Sequence, residues 1–258
     1  MTRSILAGVL SAAIGVPALA QGYEEFSKKC FGNSSPDQTI EACSALIAGG
    51  HVGGKDLAAA FKNRGNAFDD KGQYDRAIED YDHVIAINPK DADAFNNRGT
   101  SYRAMGQYER AIQDYDQTLR LTPKSAMALN NRCFAKALMG QLEQGLADGN
   151  ESLRLRPGDA NTLASRGFIY FKMKRYEAAI ADYDAELRAN PGDPYSLFGR
   201  GMAKRIKGDS SGGDADIAAA RAIRADIADG MASLECNKIK RRPRRGHPRP
   251  VLTEKLCQ

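Results

Sequence analysis

Cysteine and histidine are the residues of this 258-residue chain that could support metal, redox or nucleophilic chemistry. Each histidine lacks a second ligand or a base at a useful spacing; the three are His51, His83 and His247. The five cysteines are Cys30, Cys43, Cys133, Cys236 and Cys257, and an oxidising compartment would pair such thiols. We therefore expect no catalytic residues, no metal site and no cofactor, and we do not expect an enzyme.

Arginine and aspartate recur at a spacing that suits ion pairing. Five arginines lie 34 residues apart, and each is followed sixteen residues later by an aspartate. They are Arg64, Arg98, Arg132, Arg166 and Arg200, followed by Asp80, Asp114, Asp148, Asp182 and Asp216. Acidic triplets such as Asp80-Tyr81-Asp82 look like metal sites, but alternate residues of a helix point in different directions and cannot converge on one ion. We predict a structural ladder of Arg–Asp pairs.

The elements that position this ladder follow the same 34-residue step. Pro89, Pro123, Pro157 and Pro191 keep it, as do Ala77, Ala111, Gly145, Ala179 and Gly213. In the first copy, Phe61, Gly65 and Phe68 lie three or four residues apart, which places them on one face of a helix. The apolar spacing resumes over residues 74–85 and ends before Pro89, because proline disfavours helical geometry in the residue before it. Each copy therefore predicts a pair of helices.

A helix pair with this period and these landmarks resembles the tetratricopeptide repeat family. Five 34-residue copies cover residues 58–227. The resemblance implies an all-α fold, a right-handed α-α superhelical solenoid of tetratricopeptide repeats. It also implies a scaffold for protein–protein interaction.

Glycine lies in the middle of the first helix in four copies, at Gly65, Gly99, Gly167 and Gly201. Because glycine there costs about 1 kcal/mol relative to alanine, we expect the paired helix to pass close by. The third copy has Cys133 at this position, and it replaces two aromatic columns with Lys136 and Gly149. We expect Cys133 to be a buried free thiol and the third copy to be the weakest.

The first twenty residues follow the pattern of a secretory signal peptide. Arg3 precedes an apolar run over residues 5–16, which ends in Pro17-Ala18-Leu19-Ala20. The run is shorter than the roughly twenty residues that span a membrane. We expect cleavage after Ala20 and a periplasmic or secreted protein without a transmembrane segment. An uncleaved amphipathic start or membrane anchor is the alternative.

Residues 21–57 resemble a degenerate copy that precedes the first full repeat. Residues 40–47 share the apolar pattern of residues 78–85, which places Cys43 in the column of Tyr81 and Cys30 in the column of Phe68. Since these aromatic columns face each other in regular copies, we predict a Cys30–Cys43 disulfide that clamps a capping half-repeat. A cysteine metal pair is the alternative. The pairing of the two C-terminal cysteines, Cys236 and Cys257, stays open.

In this family the stacked first helices line a concave groove that binds extended peptides or partner helices. The resemblance therefore implies that an unidentified protein or peptide partner binds residues of this lining. They are Asn96, Arg103, Asn130, Phe134, Phe168, Phe171, Tyr195, Phe198 and Met202. The aromatic residues and the methionine form an apolar stretch, which is typical of an interaction site when exposed. The alternative is that they only pack against neighbouring helices, or against a C-terminal helix laid back into the groove.

Some family members hold the terminal carboxylate of heat-shock chaperones with a clamp of lysine, arginine and asparagine side chains. Lys62, Asn66 and Asn97 match this clamp, but Met127 and Asn131 stand where its last two cations should be. The sequence therefore argues against a chaperone clamp.

Residues 228–258 form a basic tail. Residues 231–258 contain eight lysines or arginines and two glutamates, a net charge of +6, whereas the whole chain carries +5. The proline content of this tail favours an extended, disordered segment. In an exported protein we expect no nucleic acid partner. The alternative function is an envelope tether that binds anionic lipid or polysaccharide through the tail, unless the tail has no function at all.

Overall fold

The computed structural model describes residues 16–50 and 52–229. Most of the predicted signal peptide and nearly all of the predicted basic tail therefore lie outside the described residues. The same is true of His51, His247, Cys236 and Cys257. The part of the predicted signal peptide that is described, residues 16–20, begins the first helix.

Twelve helices account for most of the described chain, and these residues contain no strand. The helices are α1 (Val16–Phe31), α2 (Pro36–Gly49), α3 (Gly54–Asp70), α4 (Tyr74–Ile87), α5 (Ala92–Ala104), α6 (Tyr108–Leu121), α7 (Ala126–Met139), α8 (Leu142–Leu155), α9 (Ala160–Lys172), α10 (Tyr176–Ala189), α11 (Pro194–Ile206) and α12 (Ser210–Ile223). Within the described ranges, no helix is both long and apolar enough to cross a membrane.

The described residues form two compact units, which divide within α5 between Asn97 and Arg98. In the N-terminal unit, α1 packs on α2, α2 on α3, and α3 on α4. The Cys30–Cys43 disulfide joins α1 to α2. Both of its cysteines are buried in a cluster with Ala42 and Leu46. The N-terminal cap is thus a packed helix pair that is also covalently linked.

In the C-terminal unit the same pairing recurs. Helix α7 packs on α8, α9 on α10, and α11 on α12, while each second helix also packs on the first helix of the next pair. This consecutive packing of helix pairs is typical of a tetratricopeptide repeat solenoid, as the 34-residue period predicts. The core of this unit therefore lies between successive helices.

The mid-helix glycines are explained by the close approach of the paired second helix. A Cβ atom added to Gly65 would lie 2.9 Å from the Tyr81 ring, and one on Gly99 would lie 2.8 Å from the Tyr115 ring. At Gly201 the obstacle includes the backbone, since a Cβ atom added there would lie 2.8 Å from the Gly213 carbonyl oxygen. The predicted close approach is confirmed, and it favours glycine in spite of its conformational cost.

The Arg–Asp ladder is confirmed in all five copies. Each arginine donates two hydrogen bonds, from Nε and Nη2, to both carboxylate oxygens of the aspartate sixteen residues later, over 2.6–2.8 Å. The remaining nitrogen makes a second connection that the spacing did not predict. In Arg132 it donates to Asp116 at 2.7 Å, and in Arg200 it donates to Asp184 at 2.7 Å, so these arginines link consecutive repeats.

The third copy compensates for its missing aromatic residues. Lys136 donates to Asp148 Oδ2 at 2.7 Å, so its side chain joins the ladder. Ile169 of the next copy is fully buried, and its Cδ1 atom lies 3.0 Å from where a Cβ atom on Gly145 would be. In the other copies this column holds alanine or serine. The weakness of the third copy stays a prediction, but a larger neighbour occupies part of the space.

The turn between the two helices of each repeat requires a left-handed backbone. Gly72, Gly106, Gly140 and Gly208 have φ angles of 69°, 73°, 75° and 97°. In the fourth copy this position is Lys174, with a φ of 61°. A residue with a Cβ atom is strained in this region.

Replacing Lys174 with glycine is therefore expected to raise the free energy of unfolding by about 1 kcal/mol, because the strain is removed. Chemical denaturation of the two proteins measures the change. Lys207→Gly is the matched control, since Lys207 has a φ of −82° and gains nothing from glycine. Equal effects of the two substitutions would contradict the explanation.

Candidate partner-binding face

The predicted binding residues of the C-terminal unit lie on its first helices. Helix α7 carries Phe134, α9 carries Phe171, and α11 carries Tyr195, Phe198 and Met202. Tyr195 is 38% exposed and the other four side chains are half-buried. Together with Arg103 and Asn130, these five residues are called the partner-binding face below. Each of them keeps some surface that a partner could cover.

Two predicted binding residues are instead buried. Phe168 is only 5% exposed and belongs to a core cluster with Cys133, Leu146 and Ile169. Asn96 is 3% exposed. Their interpretation as groove-lining contacts is corrected here, because a side chain enclosed to this degree has almost no surface to offer a ligand.

Phe168 nevertheless supports the partner-binding face from below. Its ring centroid lies 5.9 Å from that of Phe134, in a tilted arrangement. The Lys172 ammonium lies 5.0 Å from the Phe168 ring, and the Arg103 guanidinium lies 5.6 Å from the Phe134 ring. The amino-acid sequence contains both cations, but it did not show that they lie on either side of this aromatic pair.

A buried hydrogen-bond donor and a buried acceptor near Phe134 have no partner. They are the Arg103 Nε–H and the Asn130 Oδ1 atom. Asn130 lies one helical turn before Phe134, so the two side chains share a face of α7. A buried polar group without a partner costs about 1–3 kcal/mol. Both residues are only half-buried, so a change of rotamer can turn these atoms outward.

Arg103 is also positioned by the second helix of its own copy. Arg103 and Thr100 interact with the Tyr115 hydroxyl, and the Thr100 Oγ1 to Tyr115 Oη distance is 3.3 Å. Burial raises the pKa of Tyr115, while these two partners act to lower it. Tyr115 therefore stays neutral and anchors Arg103 beside Phe134.

The last described residues cover part of the face at its C-terminal end. Arg224 donates to the Tyr195 hydroxyl at 2.6 Å, and its guanidinium lies 5.4 Å from the Tyr195 ring. Phe198 packs against a cluster that includes Ile227. Both interpretations of the apolar stretch therefore apply in part, since some of its surface packs internally and some remains accessible.

The three residues that match a chaperone clamp make contacts within the fold. Lys62 pairs with Asp91 at 3.0 Å. Asn66 Oδ1 accepts hydrogen bonds from the Tyr81 hydroxyl at 2.8 Å and from Asn97 Nδ2 at 3.0 Å. These internal contacts agree with the argument from sequence against a chaperone clamp.

Cys133 and a cleft near the α1–α2 turn are two further places where chemistry could occur. Burial raises the pKa of the Cys133 thiol to about 12, so this cysteine remains protonated and unreactive. A polar cleft of about 260 Å³ near the α1–α2 turn includes Asn63, whose amide already donates to the Cys30 carbonyl. In the described part of the chain, no group of three or more His, Cys, Asp or Glu residues could hold a metal ion.

Family models place the repeats directly. A model described as TPR repeat matches residues 65–102, and two described as Tetratricopeptide repeat match residues 92–125 and 160–193. The chain therefore contains tetratricopeptide repeats. The matches lie inside the region where the 34-residue step was found.

Solved structures agree with this tetratricopeptide repeat fold. A tetratricopeptide repeat protein from Parabacteroides merdae has a TM-score of 0.66 and 17% identity, covering 92% of this chain and 98% of that one. A thermophilic repeat protein of Thermus thermophilus has a TM-score of 0.58 and 19% identity, covering 70% and 99%. YrrB, described as having an unusual peptide-binding site, has a TM-score of 0.53 and 17% identity, covering 76% and 99%. At these identities the likeness concerns the fold alone. No curated protein sequence matches this tetratricopeptide repeat chain.

Proposed function

We propose that this tetratricopeptide repeat protein is an exported interaction scaffold that holds a peptide or partner protein on its partner-binding face. The observation that carries the proposal is the donor and acceptor without partners near Phe134, the Arg103 Nε–H and the Asn130 Oδ1. A peptide group offers one carbonyl and one N–H, so a bound main chain can satisfy both.

The apolar part of the face supplies the rest of the interaction. Aromatic side chains give much of the binding energy in protein interfaces because they bury a large apolar area with few rotatable bonds. Phe134, Phe171 and Tyr195 come from three consecutive first helices, so they can accept successive side chains of one extended ligand. The peptide-binding site named for YrrB is consistent with such a role for this fold.

Export is the second part of the proposal. It is supported by the signal-peptide pattern of the first twenty residues and by the Cys30–Cys43 disulfide. Disulfides persist in oxidising compartments and are rare in the cytosol. The partner is therefore a protein that occupies the same compartment outside the cytoplasm.

Photo-crosslinking tests both parts of the proposal. A crosslinking amino acid at position 202 is expected to capture a defined partner in the extracytoplasmic fraction. Tyr195→Ala should lower the yield at least about tenfold, because loss of an aromatic anchor costs about 2 kcal/mol or more. Phe31→Ala is the matched control, since Phe31 is 42% exposed but lies in the other unit.

Two results would contradict the proposal. Equal losses with Tyr195→Ala and Phe31→Ala would argue against this face as the binding site. Crosslinked product confined to the cytoplasm would argue against export. The envelope-tethering role of the basic tail depends on residues outside the described ranges and stays a prediction.

A further inference from the structure

A carboxyl group is buried between α10 and α11 with incomplete hydrogen bonding. Glu186 is 2% exposed, and its Oε1 atom accepts a hydrogen bond from Asn190 Nδ2 at 3.0 Å. Its Oε2 atom has no partner, and neither does the hydroxyl of Ser196 on α11, which is fully buried. An ionised carboxylate enclosed in this way loses hydration without full compensation.

The corresponding positions of other copies show what this location normally contains. The residues equivalent to Glu186 are Val84, Thr118, Ser152 and Ala220, none of which ionises. At the preceding junction, the Ser152 Oγ atom lies 3.0 Å from the Oγ1 atom of Thr162, and Thr162 is the equivalent of Ser196. A hydrogen bond between two short side chains thus joins the second helix of that copy to the first helix of the next copy. Glu186 is a longer side chain, and unlike these residues it brings an ionisable group into the same enclosed position.

The surroundings of Glu186 disfavour its charge. Burial raises the pKa of this carboxyl, the Asn190 amide and the nearby Ser196 hydroxyl act to lower it, and the Asp193 carboxylate adds to the rise. Asp193 begins α11 and accepts a hydrogen bond from the Ser196 backbone N–H at 2.6 Å. Leu187 and Leu197, which directly follow Glu186 and Ser196 in the sequence, belong to one buried apolar cluster. The charged group known to face Glu186 is therefore an acid, which favours protonation.

We propose that Glu186 is a proton-operated latch for α11. When protonated, Glu186 donates its Oε2–H to Ser196 Oγ and holds the start of α11 against α10. When the proton leaves, a buried carboxylate remains beside Asp193 and the junction loosens. Helix α11 carries Tyr195, Phe198 and Met202, so the latch sets the pH response of the partner-binding face. That last consequence rests on the proposed function, but the latch itself does not.

The direction of the pH effect follows from linkage. Because the pKa of Glu186 is higher in the folded chain than in an unfolded one, where it is about 4.3, its contribution is complete below about pH 4.3. It is lost as the pH rises through the folded-state value. Asp216 behaves oppositely: burial acts to raise its pKa, but hydrogen bonds from Arg200 and Lys204 outweigh burial and lower it. The contribution of Asp216 is therefore lost in acid, below the range in which the latch opens.

Hydrogen exchange of the full-length protein tests the latch. Protection factors of α11 amides are expected to fall as the pH rises above about 4.3, the ordinary glutamate pKa, up to about tenfold for each unit by which the pKa is raised. Glu186→Gln keeps the shape of the side chain without its ionisation, so its α11 protection should not vary with pH. Glu143→Gln, an exposed residue of α8, is the control and should keep the native pH response.

A second measurement needs no variant. Carbon-13 NMR of the native carboxyl groups should show Glu186 titrating above the ordinary glutamate range. The proposal is overturned by titration at or below that range, by flat native α11 protection, or by an unchanged slope in Glu186→Gln. Neither measurement involves a partner, so failure of the latch and failure of the proposed function remain distinguishable.

Discussion

Replacing Asp148 with alanine is expected to lower the free energy of unfolding by about 3–5 kcal/mol, the cost of removing one partner of a buried ion pair. The Asp148 side chain is only 8% exposed. It receives hydrogen bonds from Arg132 at 2.6 and 2.8 Å and from Lys136 at 2.7 Å. Its loss leaves two partly buried cations close together without their shared anion. Urea denaturation followed by circular dichroism measures the change.

Asp116→Ala provides a control on the same arginine. Asp116 accepts a hydrogen bond from Arg132 Nη1 at 2.7 Å, but its side chain is 43% exposed. Exposed pairs contribute about 0–1 kcal/mol, because water competes for both charges. Equal costs for Asp148→Ala and Asp116→Ala would show that burial does not govern the strength of the ladder.

Phe168→Ala is expected to lower the free energy of unfolding by about 3–5 kcal/mol, because it removes a large side chain from a packed core. Phe168 touches the ring of Phe134 and is enclosed by Cys133, Leu146 and Ile169. The same denaturation measurement applies. The loss of stability should extend to the partner-binding face, since Phe134 loses its support.

An exposed aromatic residue gives the comparison for Phe168. Phe31→Ala should change the free energy of unfolding by no more than about 0.5 kcal/mol, as is usual for surface positions. If Phe168→Ala costs no more than this control and still abolishes crosslinking at position 202, then Phe168 is a contact residue and its assignment to the core is wrong.

The repeat period predicted most of the local architecture. Proline after the second helix ends it, so α4 and α6 stop at Ile87 and Leu121, just before Asn88-Pro89 and Thr122-Pro123. The same register placed Cys30 opposite Cys43. Each of these features depends on residues within one helix pair, where a spacing in the sequence translates directly into a spacing in space.

The partner-binding face was predicted less well. Tyr195 and Met202 keep accessible surface, whereas Phe168 belongs to the core. Both Phe168 and Met202 lie in the same column of the repeat, 34 residues apart. The repeat pattern predicts the same exposure for both residues. Their actual exposure differs because it depends on the size of the side chains that surround each of them.

The amino-acid sequence was enough to predict the helix pairs, the Arg–Asp ladder within each repeat and the close packing at the mid-helix glycines. These follow from periodicity and from the small size of glycine. The contacts between one repeat and the next became apparent only in the folded chain. Ile169 occupies space beside the third copy, and Arg132 donates a hydrogen bond to Asp116 of the preceding copy. Glu186 is buried between α10 and α11, as is Ser196. Contacts between repeats depend on the combined volume and charge of side chains from different columns. The period of a single column gives no information about that combination, so such contacts cannot be predicted from it.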